Sequence, residues 1–484
     1  MNYIEELLKK STISNTKSGE YYNSTYNCNL DLFSMLSRSM KENRILQMFR
    51  NAYVEDKKIA VANLLYLLDI RNGKGERKLF KTCFKWLCEN DPEYAKKVLY
   101  QIGELGRYDY ILVGLRTPIE EDVLKLIKKQ LREDYNAEYP SLLAKWLPSR
   151  YRARDGYNVA KYLVEKLGST RSDYRKTLTR IRKKLNLVET TIAKKQYDNI
   201  DFEKVPTKAM LRYRKLFEKY CNEQYSEYLD KASKGEKKIN TKGLFAYEII
   251  SKIYNTYNMT KEEENLYQAM WEQQKDVLNG YNRNILVMAD TSGSMTWGRP
   301  MPIWSSIGFA LYIAERNKGA FKDYYMTFSS RPLLQKVIGR TIVDKLGNVE
   351  SIIENTNIDK AFALLLETAK NNNIPEEEMP TYIVIISDME FDRGVYSKDG
   401  TNFSGWKKAF EESGYKLPKI IFWNVSTNVM GTPVTKFEND VAMINGFSTS
   451  VFENILNIEK FTPLNVMFEK LRKYVEILDK TINF

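Results

Sequence analysis

Apolar residues recur at helical spacing through the first half of the chain. The segments that carry this period of about 3.6 residues are 58–68, 78–87, 93–102, 121–131, 158–167 and 172–187. Brief breaks separate them, for example Asn72-Gly73. Because successive helices joined by short loops pack as pairs, the pattern predicts an all-helical solenoid of HEAT-like repeats, although no strict sequence repeat is visible.

The second half has a different pattern, in which short continuous apolar runs alternate with helical segments. Strand-like runs occupy 285–289, 324–328 and 382–386, and helix-like segments occupy 305–318 and 358–370. This βαβα order predicts a doubly wound parallel sheet. We therefore expect an α + α/β fold class, with a helical region over 1–275 and a sheet domain over 276–484.

Two further segments complete this division. Residues 196–275 have weak apolar spacing and polar stretches, so we expect them to connect the two parts through loops and short helices. Residues 463–480 have Leu464, Met467 and Leu471 at helical spacing, which predicts an amphipathic helix that covers the sheet.

Oxygen-bearing side chains stand where a doubly wound sheet binds its ligands. Asp290 follows the run 285–289, and Asp388 follows the run 382–386, so both lie beyond the carboxyl ends of strands. Hydroxyl groups are added by Ser292, Ser294 and Thr356. Carboxylate and hydroxyl oxygens are the ligands that Mg²⁺ or Mn²⁺ prefers. The five residues predict a divalent-metal site.

Other interpretations of these residues remain open from the sequence. Thr356 precedes a predicted helix, so it is also typical of a helix cap without a metal. The acidic residues Asp388, Glu390 and Asp392 would lie on one side of a strand end. A metal-dependent nuclease or phosphoesterase that uses Asp290, Asp388 and Glu390 is therefore an alternative.

Composition limits the classes of function. With 484 residues, the chain is long enough for two or three domains with sizeable cores. No apolar run approaches the roughly 18 to 20 residues of a membrane span, and the first ten residues do not resemble a secretory signal. The four cysteines lack CxxC spacing, which favours a reduced, cytoplasmic compartment. The chain has no histidine, which excludes His-based triads and Cys/His zinc sites.

The positive charge lies in the first part of the chain. Residues 1–275 hold 52 Lys and Arg against 37 Asp and Glu, whereas residues 276–484 hold 23 against 25. Residues 145–195 are rich in Lys and Arg with tyrosines between them, as phosphate neutralisation and base stacking would require. The strongest cluster consists of Arg175, Lys176, Arg180, Lys183 and Lys184. The alternative is an ordinary solvated helix face.

The string Gly73-Lys74-Gly75-Glu76-Arg77 could be mistaken for a phosphate-binding loop. The Walker spacing is missing, and no Ser or Thr follows Lys74. We expect Gly73 and Gly75 to shape a turn between packed helices, with Glu76 and Arg77 starting the second one.

The residues at the predicted metal site resemble a known motif. The string DTSGSM at 290–295, with the later Thr356 and Asp388, looks like the metal-ion-dependent adhesion site (MIDAS) of a von Willebrand factor A domain. In that family the ion leaves one coordination place for an acidic group of a partner. The resemblance implies the same use here.

The helical half resembles the TROVE family, the ring-shaped RNA-binding module of Ro-type proteins, and especially relatives that join it to a von Willebrand A domain. The matching strings are LLDIRNGKGER at 67–77, GELGRYD at 103–109, SLLAKWLPS at 141–149, VPTKAML at 205–211, SDMEF at 387–391 and FWNV at 422–425. The resemblance implies a ring of helical repeats that the A domain closes. The segment with Lys145, Ser149 and Arg150 matches the RNA-contacting stretch of that family, and Arg152 and Arg154 extend it. The lack of histidine is a departure, because Ro-type proteins place one in that stretch.

The sequence therefore predicts a non-catalytic RNA-binding scaffold for small structured or misfolded non-coding RNA, a ribonucleoprotein component with a Mg²⁺ or Mn²⁺ site. We expect RNA and an acidic protein group as partners, a monomer, no membrane and no DNA specificity. The nuclease is the first alternative. A protein-only adaptor, in which the basic face binds acidic proteins, is the second.

Overall fold

The computed structural model describes residues 13–16, 19–150, 158–241, 243–298, 300–328, 331–350, 357–389, 391, 402–425 and 431–480. Its α-helices span Cys28–Met35, Glu42–Glu55, Lys57–Leu68, Arg77–Asn90, Pro92–Leu105, Glu120–Asn136, Leu143–Trp146, Val159–Lys166, Arg171–Lys184, Val188–Ala193, Thr207–Tyr220, Asn222–Ser233, Ala246–Tyr254, Lys261–Glu272, Pro302–Arg316, Ile342–Gly347, Ile358–Asn371, Asn402–Glu412 and Pro463–Asp479. Its strands are β1 (Ile13–Thr16), β2 (Gly19–Tyr22), β3 (Ile285–Ala289), β4 (Tyr324–Thr327), β5 (Leu333–Lys336), β6 (Tyr382–Ser387), β7 (Lys419–Asn424) and β8 (Val441–Asn445). Across this described part of the chain, no helix has both the length and the apolar character needed to cross a membrane.

The helices of the N-terminal region form where the apolar period predicts them, with ends displaced by a few residues. Helix Lys57–Leu68 is predicted at 58–68, and helix Pro92–Leu105 at 93–102. Both start at an aspartate cap. The Asp56 side chain accepts a hydrogen bond of 3.0 Å from the backbone N–H of Ile59, and the Asp91 side chain accepts one of 3.2 Å from that of Tyr94. Pro92 suits the first helical position, where no backbone donor is needed.

The expectation of loops and short helices for 196–275 is wrong for most of that segment. It forms four of the helices named above, between Thr207 and Glu272. Their buried faces contain many aromatic rings: Phe217 lies 5.4 Å from Tyr225 between ring centroids, and Trp271 packs against Tyr312. The aliphatic period is therefore weak, while tertiary packing of the rings stabilises the helices.

The C-terminal part holds a six-stranded sheet with the order β5-β4-β3-β6-β7-β8. Strands β4, β3, β6, β7 and β8 pair in parallel. The sequence predicts β3, β4 and β6, and it misses β7 and β8. The expectation of a purely parallel sheet is wrong at one edge, because β5 pairs antiparallel to β4, with Leu333 opposite Thr327. Only residues 328–332 separate these strands, which is too few for the crossover that a parallel neighbour requires.

Helices cover both faces of the sheet. Phe422 and Trp423 are neighbours on β7, so their side chains point to opposite faces. Phe309 of helix Pro302–Arg316 stacks on Trp423 at 4.1 Å between centroids, and Phe403 lies 6.5 Å from Phe422. The carboxyl ends of the strands are therefore the open edge at which polar side chains can gather.

An early and a late part of the helical region meet beside the sheet. Arg38 follows the first helix of the region and forms an ion pair with Glu76 at 2.5 Å. The Arg38 guanidinium also donates to the hydroxyl of Tyr247, which lies on helix Ala246–Tyr254. Phe447, just beyond β8, lies against both Arg38 and Tyr247. The helical region thus returns to its own start beside the edge strand β8.

Candidate functional site

Asp290 is the first residue after β3 and is fully buried at the carboxyl end of that strand. Its Oδ1 accepts a hydrogen bond of 2.9 Å from the backbone N–H of Ser292, and its Oδ2 accepts one of 2.5 Å from the hydroxyl of Ser387. The hydroxyls of Ser292 and Ser294 lie 3.1 Å apart. Ser292 occupies the N-cap position of the short 3₁₀ helix Gly293–Thr296, which starts the turn of the loop.

Asp388 lies at the end of the neighbouring strand. Strands β3 and β6 pair with Ala289 opposite Ile386, and the backbone N–H of Asp290 donates to the Ile386 carbonyl at 3.0 Å. Asp388, 6% exposed, is the second residue beyond Ile386. Burial raises the pKa of the Asp290 carboxyl, and the negative charge of Asp388 raises it further. The structure therefore brings two buried carboxyl groups to one edge of the sheet.

Thr356, the fifth predicted metal ligand, lies outside the described residues. The same holds for Glu390 and Asp392, the further acids of the nuclease alternative. In the described ranges, no group of three or more His, Cys, Asp and Glu side chains is placed to hold a metal ion. Among the described residues at this edge, the oxygen donors are the carboxylates of Asp290 and Asp388 and the hydroxyls of Ser292 and Ser294.

The chemistry of this donor set fits a small hard cation. All the donors are oxygen atoms, and Asp290 accepts its two hydrogen bonds from neutral groups, Ser292 N–H and Ser387 O–H. Two buried carboxylates that repel each other are costly without a compensating charge, which a divalent ion supplies. Asp290, Asp388, Ser292 and Ser294 are the described residues that would hold it.

A second candidate site is the helix Arg171–Lys184, whose two faces differ sharply. Leu178 and Ile181 are buried, as the helical spacing predicts, and Leu185 is partly buried. The expectation that Tyr174 is one of the tyrosines that stack on bases is wrong, because its side chain is buried with them. The exposed side chains of this helix include Arg175, Lys176, Arg180, Lys183 and Lys184. Four of these cations lie together with Ser172 and Thr179 on one open, shallow face of the helix. We call this face, lined by Arg175, Lys176, Arg180 and Lys183, the basic groove.

The segment that resembles an RNA-contacting stretch is held against this helix by hydrogen bonds. Arg182 donates to the carbonyl oxygens of Ala144 and Leu147 at 2.7 and 2.8 Å, and to the hydroxyl of Ser149 at 3.2 Å. Lys145 is half-buried and lies 3.5 Å from a carboxylate oxygen of Glu189. The polar groups of Lys145 and Ser149 are therefore engaged inside the protein.

The remaining cations of that segment differ in what can be said of them. Arg150 is exposed at the end of the described stretch, whereas Arg152 and Arg154 lie outside the described residues. Sequence reasoning missed Arg182 as the residue that ties this segment to the basic helix. In the sequence, Arg182 looks like the other cations of the cluster. In the structure it differs from its neighbours because its side chain is half-buried.

The loop Gly73-Lys74-Gly75 forms a turn between two helices, as expected, and it does not bind phosphate through Lys74. Gly75 has φ +61°, and a side chain at Gly73 would collide with the Tyr66 carbonyl. The Lys74 amine is buried and donates to the Phe33 carbonyl and to the side-chain oxygen of Asn445. Lys74 therefore joins the helical region to β8.

Comparisons with known proteins cover both parts of the chain. The family model described as Domain of unknown function (DUF2828) matches residues 16–102 and 119–295, and that described as Domain of unknown function (DUF7788) matches residues 284–476. Uncharacterized protein L728 of Acanthamoeba polyphaga mimivirus is 29% identical over 515 residues, which cover 96% of this chain and 88% of that relative. The similarity to this viral protein therefore runs through the helical region and the sheet alike.

Proposed function

We propose that this chain, which belongs to the family described as Domain of unknown function (DUF2828), is a non-catalytic RNA-binding scaffold with a divalent-metal site that recruits an acidic partner group. The observation that carries the RNA part is the basic groove. Its cations are exposed on one face of helix Arg171–Lys184, while the opposite face packs into the protein. A surface of this kind releases counterions when it meets a phosphate backbone, so binding should weaken steeply with salt.

The proposed architecture is a ring of TROVE-like helical repeats joined to a von Willebrand factor A-like domain. The contact between Arg38 and Tyr247 supports a ring, because it brings the start and end of the helical region together. The sheet order supports an A-like domain, because β3 lies centrally with the chain crossing to either side of it, and both aspartates lie at the resulting switch point.

The metal part of the proposal assigns Asp290, Asp388, Ser292 and Ser294 as protein ligands of Mg²⁺ or Mn²⁺, with Thr356 as the fifth. When bound, the ion would offer an open coordination place to a carboxylate of a partner. The chain itself supplies a rigid frame. The Ser387 hydroxyl and the Ser292 backbone N–H hold the two oxygens of Asp290 in place. The site would thereby bind the carboxylate of the partner and catalyse no reaction.

The experiment separates the two activities with two variants. The triple variant Arg175→Glu, Lys176→Glu, Lys183→Glu should bind structured RNA at least tenfold more weakly than the wild type in a fluorescence anisotropy titration, with a shallower dependence on salt. Asp290→Asn should lose Mn²⁺ binding in calorimetry while it keeps RNA affinity within about twofold of the wild type. The independence follows because the basic groove and the sheet edge share no residue.

The matched control carries the same charge change elsewhere: Lys407→Glu, Lys408→Glu, Lys416→Glu, three exposed lysines of the sheet domain. An equal loss of RNA affinity in this control would reduce the effect to net charge and overturn the assignment of the groove. RNA cleavage that disappears in Asp290→Asn would favour the nuclease alternative. A wild-type protein that binds acidic proteins but no RNA would favour the adaptor.

A further inference from the structure

A short loop that follows helix Glu120–Asn136 carries an unusual exposed aromatic ring. Tyr139 has 87% of its surface exposed, although it belongs to a loop that is tied at both ends. The buried carboxylate of Asp134 accepts hydrogen bonds from the backbone N–H and the hydroxyl of Ser141, at 2.8 and 2.7 Å. These hydrogen bonds close a turn from Asp134 to Ser141 that contains Tyr139.

The basic helix holds this loop directly. Arg180, a member of the basic groove, donates to the hydroxyl of Tyr135 at 2.7 Å and lies 4.1 Å above the centre of its ring. Lys184 donates to the carbonyl oxygens of Tyr135 and Ala137, at 2.7 and 2.8 Å. Tyr139 is two residues beyond Ala137, so its Cα lies no more than about 7 Å from that of Ala137. The loop that carries the exposed ring is thus held by the same helix that bears the cations of the groove.

We infer that Tyr139 is a stacking platform for an unpaired base of single-stranded RNA whose backbone follows the basic groove. This inference rests on the proposed RNA-binding function and names the part of the RNA that the site takes. A base stacked on the Tyr139 ring buries apolar surface of both, and every base offers a flat face to stack on. The hydrogen bonds between Asp134 and Ser141 already join the two ends of the loop, which reduces the conformational entropy lost when the base binds.

The charges around the tip favour a base over a phosphate at Tyr139. Glu138, next to Tyr139, and Glu133, at the end of the preceding helix, are both exposed, and their carboxylates repel the backbone phosphates. The cations that attract phosphates lie on the helix, at Arg175, Lys176 and Lys183. A single strand can contact both surfaces at once, because its phosphates can follow the cations while an unpaired base turns away from the backbone to the Tyr139 ring. In a duplex the bases are already stacked and cannot reach the ring.

The test measures the affinity of the full chain for a fluorescein-labelled single-stranded RNA of mixed sequence and for the same sequence fully paired as a duplex. Tyr139→Ala should weaken single-strand binding roughly 5- to 100-fold, as the loss of one stacked base does. Tyr139→Phe, which keeps the ring, should stay within about twofold of the wild type. The loss in Tyr139→Ala should be the same at every salt concentration, because no ionic contact is removed.

The matched control is Tyr257→Ala, which removes another tyrosine that is 91% exposed, in the loop before helix Lys261–Glu272. It should bind both RNAs like the wild type. If the wild type binds single-stranded RNA and Tyr139→Ala binds it equally well, the stacking inference is overturned while the proposed function stands. A duplex affinity that falls as much as the single-strand affinity would also overturn it. If the wild type binds no RNA, the proposed function fails first.

Discussion

Lys74 is a fully buried lysine at the contact between the helical region and the sheet. Its amine donates to the backbone carbonyl of Phe33 and to the side chain of Asn445, and its aliphatic part lies against Gly446. Burial lowers the pKa of Lys74 to about 7, and the nearby negative charge of Glu76 opposes that shift. The protein thus keeps a proton-binding group inside an interface that must stay closed.

This buried amine makes the stability of the protein depend on pH. The pKa of Lys74 falls from 10.5 to about 7 on folding, so between these two values the unfolded chain binds more protons than the folded one. The free energy of unfolding should therefore rise with pH across that window, and this gain in stability should disappear as the pH falls towards 7. Replacing Lys74 by Met should reduce the slope of the free energy of unfolding against pH by up to about 1.4 kcal/mol per pH unit. Urea unfolding at a series of pH values from 7.5 to 10 would measure it.

A second lysine with a pKa lowered by burial, Lys470 at about 8, is present in both proteins, so the difference between them isolates Lys74. Lys41→Met, which removes an exposed amine, shows what the loss of any lysine does. Equal slopes for the wild type and Lys74→Met would mean that Lys74 keeps its proton in the folded interface.

At the scale of elements, helix Arg171–Lys184 combines cations with different tasks. Arg182 points inward, where its guanidinium joins the carbonyl oxygens of Ala144 and Leu147 to the helix. Burial lowers the pKa of Arg182, which fits a cation that is packed inside rather than displayed. Arg175, on the same helix, is exposed and lines the basic groove. One helix therefore both supports the neighbouring segment and presents a charged surface.

We predict that Arg182→Met and Arg175→Met separate these tasks. Arg182→Met leaves two carbonyl oxygens without their donors and should lower the free energy of unfolding by roughly 2–4 kcal/mol. Arg175→Met should change stability by less than about 0.5 kcal/mol and weaken RNA binding instead. Chemical denaturation and RNA titration of both variants provide the comparison. If Arg182→Met kept full stability but lost RNA affinity, Arg182 would belong to the binding surface.

The sequence predicts elements well where one face of a segment is apolar, and it fails where long-range packing decides. The runs that became β3 and β6 are continuous because both faces of the sheet are covered, so their ends and the positions of Asp290 and Asp388 could be predicted. The edge strand β5 could not, since Leu334 is exposed and the strand exists through its pairing with β4. The roles of Arg182 and Tyr139 depend on which helices meet, which no local pattern contains.

At the scale of the whole molecule, the sheet domain contacts the helical region at several places. Asn445, at the end of β8, accepts from Lys74 and donates to the Leu36 carbonyl at 2.9 Å. Tyr474 of the last helix donates to the buried Asp69 at 3.1 Å. On the other side, the Trp271 ring N–H donates to Glu315 at 2.8 Å. The buried apolar residues accordingly form one continuous cluster through both parts.

Such continuity predicts that the two parts unfold together, in one cooperative transition. Asn317→Ala tests this from inside the sheet domain, because the Asn317 side chain donates to the Ile285 carbonyl at 2.7 Å and accepts from the Gly319 backbone N–H at 3.3 Å, both within that domain. The change should lower the free energy of unfolding by about 1–3 kcal/mol. Hydrogen exchange should show the same loss of protection for the slowest amides of helix Lys57–Leu68 as for those of β3, although the helix lies far from Asn317 in the sequence.

Asn445→Ala provides the matched variant at the contact itself, since it removes one acceptor for Lys74 and one donor to Leu36. It should also lower the hydrogen-exchange protection of both parts equally. If the two parts unfold together, losing a contact between them lowers the same free energy of unfolding as losing a contact within one of them. Loss of protection confined to the sheet in Asn317→Ala, or two separate calorimetric transitions in either variant, would contradict cooperative closure. The helical region would then be stable by itself, and its return to its own start would not depend on the sheet domain.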